Sequence, residues 1–190
     1  PNSCIALETG VAAGPDAVLP WDGVKRSPES WNRDMTLREA FAVSCVPVYQ
    51  RLARQVGMER MDWWLRAVGY GNADTSAGVD VFWLEGNMRI SALEQVAFLR
   101  RLKQGDLPFS TRTMDAVREI MVTQTGPGWT LRAKTGWTAR VKPGVGWWVG
   151  WLDQGAQTWF FALNLDMNAF EQAPARLEIV QAALRGEGLL

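Results

Sequence analysis

Histidine is absent from the 190 residues, cysteine occurs only twice, and the formal net charge is zero. Each shortage removes a class of chemistry. Without histidine, neither a Ser-His-Asp nor a Cys-His nucleophilic site can be assembled from this chain. Two thiols, Cys4 and Cys45, are too few for a conventional zinc site, so no metal is expected. Lys and Arg balance Asp and Glu with no basic run, which leaves nucleic acid without an electrostatic footprint. No apolar stretch approaches membrane-spanning length, so no membrane partner is expected either. Any enzyme chemistry in this chain falls to Ser, Lys, Tyr or carboxylates.

Tryptophan, by contrast, is abundant, with 11 copies. Trp147, Trp148, Trp151 and Trp159 crowd one region and predict a heavily packed sheet, their rings serving core and cleft wall. The length suits a single domain over residues 1–190, with one core or two small lobes sharing a cleft.

Residues 1–7 read as a helix without a cap, closed by Gly10. Pro15, Pro20, Trp21, Asp22 and Pro28 then make an extended connection. Thr36 and Glu39 form a capping box that opens a helix to about Val43. Pro47 starts another, carrying Val48, Leu52 and Val56 at helical spacing; Met61, Trp64, Leu65 and Val68 mark the next, ended by Gly69. Ser91 and Glu94 cap a helix expected to turn Ala92, Leu93, Val96 and Leu99 inward. Ser110 opens one with Met114, Val117 and Met121 on a single face. After Gly126-Pro127-Gly128 the period changes: Trp129, Leu131 and Ala133 alternate with Thr130, Arg132 and Lys134, as in a strand. Residues 146–152 and 158–166 are two further strands, joined as a hairpin, and Leu177, Val180 and Leu184 mark a closing helix. The order argues for an α+β fold, mostly helical over about 11–125, with sheet and C-terminal helix over about 126–190.

Three short motifs carry potential chemistry. Ser44-Cys45-Val46 precedes Pro47, so Ser44 either caps the following helix or sits on a turn with its hydroxyl facing a cleft. Lys134-Thr135-Gly136 ends a strand, offering fixed charge, a hydroxyl and a backbone a ligand can approach closely, or plain turn chemistry. Tyr70-Gly71-Asn72 is a turn with a polar tip.

In this order and at these separations the motifs are a variant of the Ser-x-x-Lys, Ser-Asp-Asn and Lys-Thr-Gly set of class A β-lactamases and penicillin-binding proteins. Ser-x-Val replaces Ser-Asp-Asn, and Tyr-Gly-Asn is added. With Pro1-Asn2-Ser3, Phe82-Trp83-Leu84-Glu85-Gly86, Arg89-Ile90-Ser91 and Trp147-Trp148-Val149-Gly150-Trp151, the chain resembles the class D (oxacillinase-type) serine β-lactamases over nearly its whole length.

The resemblance implies a β-lactamase/transpeptidase-like fold, an antiparallel sheet flanked by helices beside an all-helical region, with a cleft between them. It places the Ser-x-x-Lys motif and the N-terminal strands just upstream of Pro1, and no Ser-x-x-Lys occurs within the 190 residues. The implied activity is β-lactam hydrolysis through a serine acyl-enzyme, with an N-carboxylated lysine as general base. No cofactor is implied beyond the carbon dioxide held as that carbamate.

Catalytic roles fall to four residues. Ser44 relays protons to the lactam nitrogen, Lys134 supplies electrostatic attraction, Trp83 holds the carbamate, and the backbone N–H of Trp137 contributes to the oxyanion hole. Thr135, Gly136 and Arg176 bind the substrate carboxylate region, Val46 and Leu84 are apolar gates, and Tyr70 and Asn72 shape the cleft. Arg176 has a plainer alternative, a surface arginine on the last helix. Cys4 and Cys45 are either buried thiols or a disulfide. Substrate preference is expected to follow the loops around Val46, Leu84 and the segment between Trp137 and Gly146. The expected partner is a small-molecule β-lactam, the state a monomer or homodimer, and the location periplasmic. A β-lactam sensor domain of a membrane receptor, acylated without turnover, is the main alternative; a penicillin-binding transpeptidase is the second.

Overall fold

The computed structural model describes residues 1–138 and 141–190. Ala139 and Arg140, within the segment expected to shape substrate preference, lie outside the described residues. Thr36 and Glu39 close on each other as anticipated: the Glu39 N–H donates to Thr36 Oγ1 at 3.2 Å and the Thr36 N–H donates to Glu39 Oε2 at 2.7 Å. Such a cap contributes about 1 kcal/mol by satisfying helix-end donors. It fixes the start of α2 (Leu37–Ala42), which follows α1 (Asn2–Glu8) and a two-stranded ribbon of β1 (Val18–Leu19) and β2 (Met35–Thr36). Next come α3 (Val46–Val56), α4 (Met58–Val68), α5 (Ala92–Gln104) and α6 (Thr111–Ile120). Ser91 and Glu94 cap α5 in the same reciprocal way, and Ser110 caps α6.

The sheet is antiparallel in the order β3-β4-β5-β6, formed by Val122–Gly126, Trp129–Trp137, Gly144–Gln154 and Gln157–Met167. Both faces are covered. Leu131, Ala133, Trp148 and Leu152 pack under Val180 and Leu184 of α7 (Ala173–Gly186). Trp151, Val149 and Phe160 pack on the opposite side, against the cluster formed by α1, α4, α5 and α6. Lys103 of α5 ties helix to sheet by reaching Asp153, and donates to Thr158 Oγ1 at 2.7 Å. α1 is central to the helical part: Ser3, Cys4, Ile5 and Ala6 are all buried.

Three expectations need correcting. The inward face of α5 is Gln95, Phe98, Leu99 and Leu102, while Leu93 is 82% exposed. Burying Gln95 is tolerable because its amide donates to the Tyr70 hydroxyl at 2.7 Å, which rotates the helix away from the apolar reading. The sheet begins before Gly126, because β3 is a polar edge strand whose pairing with β4 slips between Val122 and Gln124. The hairpin between β5 and β6 is tighter than expected: Gln154 pairs with Gln157 across Gly155 and Ala156, and Gly155 takes φ 57°.

Candidate active site

Residues 134–136 sit near the end of β4, where register is unbroken from Trp129 opposite Gln154 to Trp137 opposite Gly146. Lys134 pairs with Val149, Thr135 with Trp148 and Gly136 with Trp147, so the motif inherits the rigidity of the sheet interior. A Cβ on Gly136 would meet Trp147 only at 3.5 Å, an ordinary contact. Local packing therefore does not explain this glycine.

Ser44 stands on the helical side. The chain leaves α2 through Val43, and Ser44 adopts φ 50°, left-handed backbone that a non-glycine residue rarely takes. Cys45, not Ser44, occupies the cap position of α3, and its side chain makes no capping bond. Ser44 therefore sits on a turn and is not the cap of α3. The turn is braced from outside, since the Trp31 indole N–H donates to the Val43 carbonyl at 3.1 Å.

The two sides meet at the Lys134 ammonium. It donates to Ser44 Oγ in a short contact and to the Thr135 carbonyl at 2.8 Å, and lies 5.5 Å from the centre of the Phe41 ring. Desolvation first, and the Arg176 charge second, depress its pKa from 10.5 to about 8. Burial thus favours the neutral amine at Lys134 more than at an ordinary surface lysine. Phe41, which keeps the ammonium partly dry, escaped sequence reasoning; its only signal was a position three residues before Ser44 on the capped helix.

Arg176 is buried, at 8% exposure, and is no surface residue. Its Nη1 donates to the Gly136 carbonyl at 2.6 Å and its Nε to the Ala173 carbonyl at 3.1 Å. Gly146 leaves room beside it: a Cβ there would fall 2.1 Å from the Met167 sulfur and 3.1 Å from Arg176 Cδ, so both side chains would have to shift. Trp137 closes this edge, its indole N–H donating to the Met167 carbonyl at 3.2 Å and its ring lying 6.0 Å from Phe170.

Ser44, Lys134, Thr135, Gly136 and Arg176 are therefore linked by one run of hydrogen bonds and backbone. The other predicted residues enter by packing. Trp83 is half-buried against the cluster containing Cys4 and Ile5 of α1, and meets Phe82 edge-on at 5.0 Å. Val46 opens α3 and Leu84 follows Trp83 in a turn, both half-buried.

Tyr70 and Asn72 act as scaffold. Burial raises the Tyr70 hydroxyl to about 12, and Asn72 clasps the segment after Trp83-Leu84 by donating to the Asn87 carbonyl and accepting from the Arg89 N–H, both at 2.9 Å. Gly71 at φ 54° sits where a Cβ would strike the Arg89 carbonyl at 2.0 Å. Cys4 and Cys45 are free and buried in separate clusters, with both thiol pKa values pushed up by burial. They are packing residues.

Known proteins share the sequence and the fold of this chain. Residues 1–185 match the penicillin binding protein transpeptidase domain. The chain is 44% identical over its full length to the β-lactamase OXA-48 of Klebsiella pneumoniae, spanning 72% of that protein. It is 42% identical to OXA-10 of Pseudomonas aeruginosa, covering all of this chain and 73% of the relative. Among solved structures it superposes with a TM-score of 0.96 on the class D β-lactamase YbXI from Nostoc, 46% identical, covering 100% of this chain and 80% of the other. It reaches the same score with FUS-1 (OXA-85), a class D β-lactamase from Fusobacterium nucleatum subsp. polymorphum, at 37% identity and 100% and 79% coverage.

Proposed function

This chain belongs to the class D β-lactamases, within the penicillin-binding transpeptidase-domain family, and from that premise we propose that it is the greater part of a periplasmic enzyme hydrolysing small-molecule β-lactams. The nucleophilic serine and the lysine that becomes N-carboxylated lie upstream of Pro1 in this reading. The observation that carries it is the Lys134 ammonium shared between Ser44 and the strand end, with Arg176 behind it.

A β-lactam presents a carboxylate beside its ring nitrogen. Arg176 and protonated Lys134 attract that carboxylate, Thr135 donates its hydroxyl to it, and the open backbone at Gly136 lets it lie against β4. When the upstream serine opens the lactam ring, the nitrogen leaves with a new lone pair. Ser44 Oγ–H gives it a proton and regains one from Lys134, whose lowered pKa matches the task. The backbone N–H of Trp137 faces the negative charge that develops on the lactam carbonyl oxygen.

A carbamate on that lysine would supply a general base for acylation and for attack of water on the acyl-enzyme. The residues present fit such a group: Val46, Leu84 and the Trp83 ring are half-buried and apolar, and the neighbouring start of α1 is buried. Trp83 is the residue that would hold it by its indole N–H, while Val46 and Leu84 limit water around it.

Nitrocefin hydrolysis by the full-length protein, with and without added bicarbonate, tests the reading. The expected result is sustained turnover that rises with bicarbonate. A single acylation burst without turnover would instead assign the domain to β-lactam sensing. Turnover indifferent to bicarbonate would remove the carbamate.

A further inference from the structure

The proposed reaction needs two hydroxyls at one lactam ring, the upstream nucleophile on its carbonyl carbon and Ser44 on its nitrogen. The nucleophile stands on the chain that enters α1, and Ser44 on the chain that enters α3. Proton transfer demands hydrogen-bond distance, so the spacing between these two helix starts bears directly on acylation. Apolar packing alone fixes such a spacing loosely, because burial of apolar surface is non-directional.

Ser3 and Tyr49 add a directional contact at that place. Their hydroxyls share a hydrogen bond at 2.8 Å. Ser3 is buried in the first turn of α1. Tyr49 lies in the first turn of α3, its N–H donating to the Cys45 carbonyl at 3.2 Å, so the pair sits one turn inside both helix starts. The Tyr49 ring packs against both helical clusters, and burial pushes its hydroxyl pKa well up, which keeps the proton of this bond in place. Among the described residues it is the only side-chain hydrogen bond that joins α1 to α3. The far end of α1 is tied elsewhere: Glu8 Oε2 accepts from the Ser110 N–H at 3.0 Å and from the Ser110 hydroxyl at 2.8 Å, at the start of α6.

We propose that Ser3 and Tyr49 are positioning residues for acylation, a buried hydroxyl pair that sets the spacing between the nucleophile-bearing entry to α1 and the Ser44 turn. The inference rests on the proposed function, since it takes the nucleophile to stand just upstream of Pro1. Neither hydroxyl touches substrate; both act through the helix starts they join.

The test is rapid-mixing acylation of the full-length protein by nitrocefin, resolved into substrate affinity and maximal acylation rate and paired with Tm. It reads acylation whether or not the acyl group is later released. Tyr49→Phe keeps the ring and removes only the hydroxyl. The maximal rate should fall by about tenfold while affinity stays within about twofold, the pattern of misplaced reacting groups. The solvent deuterium isotope effect on that rate should rise, because delivery of the proton by Ser44 becomes the slow event. Ser3→Ala should act alike and stands in should Tyr49→Phe fold poorly. The double variant should lose no more than either single one, since both remove the same bond. Glu8→Ala should lower Tm and leave the acylation rate unchanged. An unaltered rate in Tyr49→Phe, additive losses in the double variant, or an equal loss from Glu8→Ala overturns the positioning role. A parent protein that nitrocefin never acylates overturns the functional reading itself, and the positioning role with it.

Discussion

Lys134 and Ser44 touch across the cleft, yet the two sides of the molecule hold them by different means. Lys134 rides on a strand paired without interruption to β5, in a sheet covered on both faces. Ser44 rides on a turn with left-handed backbone, held by the Trp31 indole and by the Ser44 and Cys45 N–H groups donating to the Phe41 and Ala40 carbonyls at 3.2 and 2.9 Å. Lys134 thus rests on a continuously paired strand, and Ser44 on a local turn with backbone a serine rarely adopts. The comparison teaches that damage should spread differently from each side: from the strand into substrate binding, from the turn into stability as well as chemistry.

The largest effect should come from removing the group both sides share. Lys134→Ala in the full-length enzyme is expected to lower kcat/KM for a penicillin by about 10²–10³-fold, the usual cost of losing a preorganised electrostatic contact. Steady-state kinetics decide it; a loss under tenfold would detach Lys134 from the reaction.

Ser44 separates chemistry from strain. Ser44→Ala and Ser44→Gly should both reduce kcat, by roughly 10²-fold for a lost proton relay. Glycine relieves the left-handed backbone, so Ser44→Gly should be more stable than Ser44→Ala by about 1 kcal/mol in urea unfolding. Equal stability of the two variants would mean that the turn stores no strain.

The pH dependence sharpens the same contrast. Activity that needs the Lys134 charge should fall as pH rises through about 8. Stability should move the other way. The folded pKa lies below the ordinary 10.5, so the folded chain binds fewer protons than the unfolded one between about 8 and 10.5, and this group's contribution to stability grows across that window. Paired pH profiles of kcat/KM and of unfolding free energy would show opposite slopes; parallel slopes would contradict the buried-ammonium account.

The smallest effect belongs to the brace. Trp31→Phe keeps the ring and loses the donor to Val43, which should cost about 1 kcal/mol of stability and leave KM nearly unchanged. A large rise in KM would show that the turn also positions substrate.

Much of this arrangement was legible in the residues, and the remainder was hidden for physical reasons. The capping boxes at Thr36 and Ser91 are local, reciprocal and encoded in four residues each, so they were read correctly. β4 announced itself by alternation, and β5 and β6 by their apolar runs. β3 did not, because an exposed polar edge strand has no apolar face to alternate. Leu93 misled because the true face of α5 is set by a buried glutamine whose partner, Tyr70, lies 25 positions away. The motifs located Lys134 and Ser44, but neither the φ of Ser44 nor the Phe41 ring beneath Lys134 has a local signature. Arg176 was reached through family resemblance alone; its path depends on an empty Cβ position at Gly146, which no periodicity reveals.

Helix α1 has one more consequence, for how the molecule comes apart. Cys4 and Ile5 belong to one apolar cluster and Ala6 to another, while the Ser3 hydroxyl hydrogen-bonds the hydroxyl of half-buried Tyr49 in α3 at 2.8 Å. One short helix is shared property of two half-cores, neither of which can shed it and keep its own interior. Loosening at either one propagates to the other, so the helical part should melt as one cooperative unit, and amide exchange at α1 should report its global opening and not a local fraying.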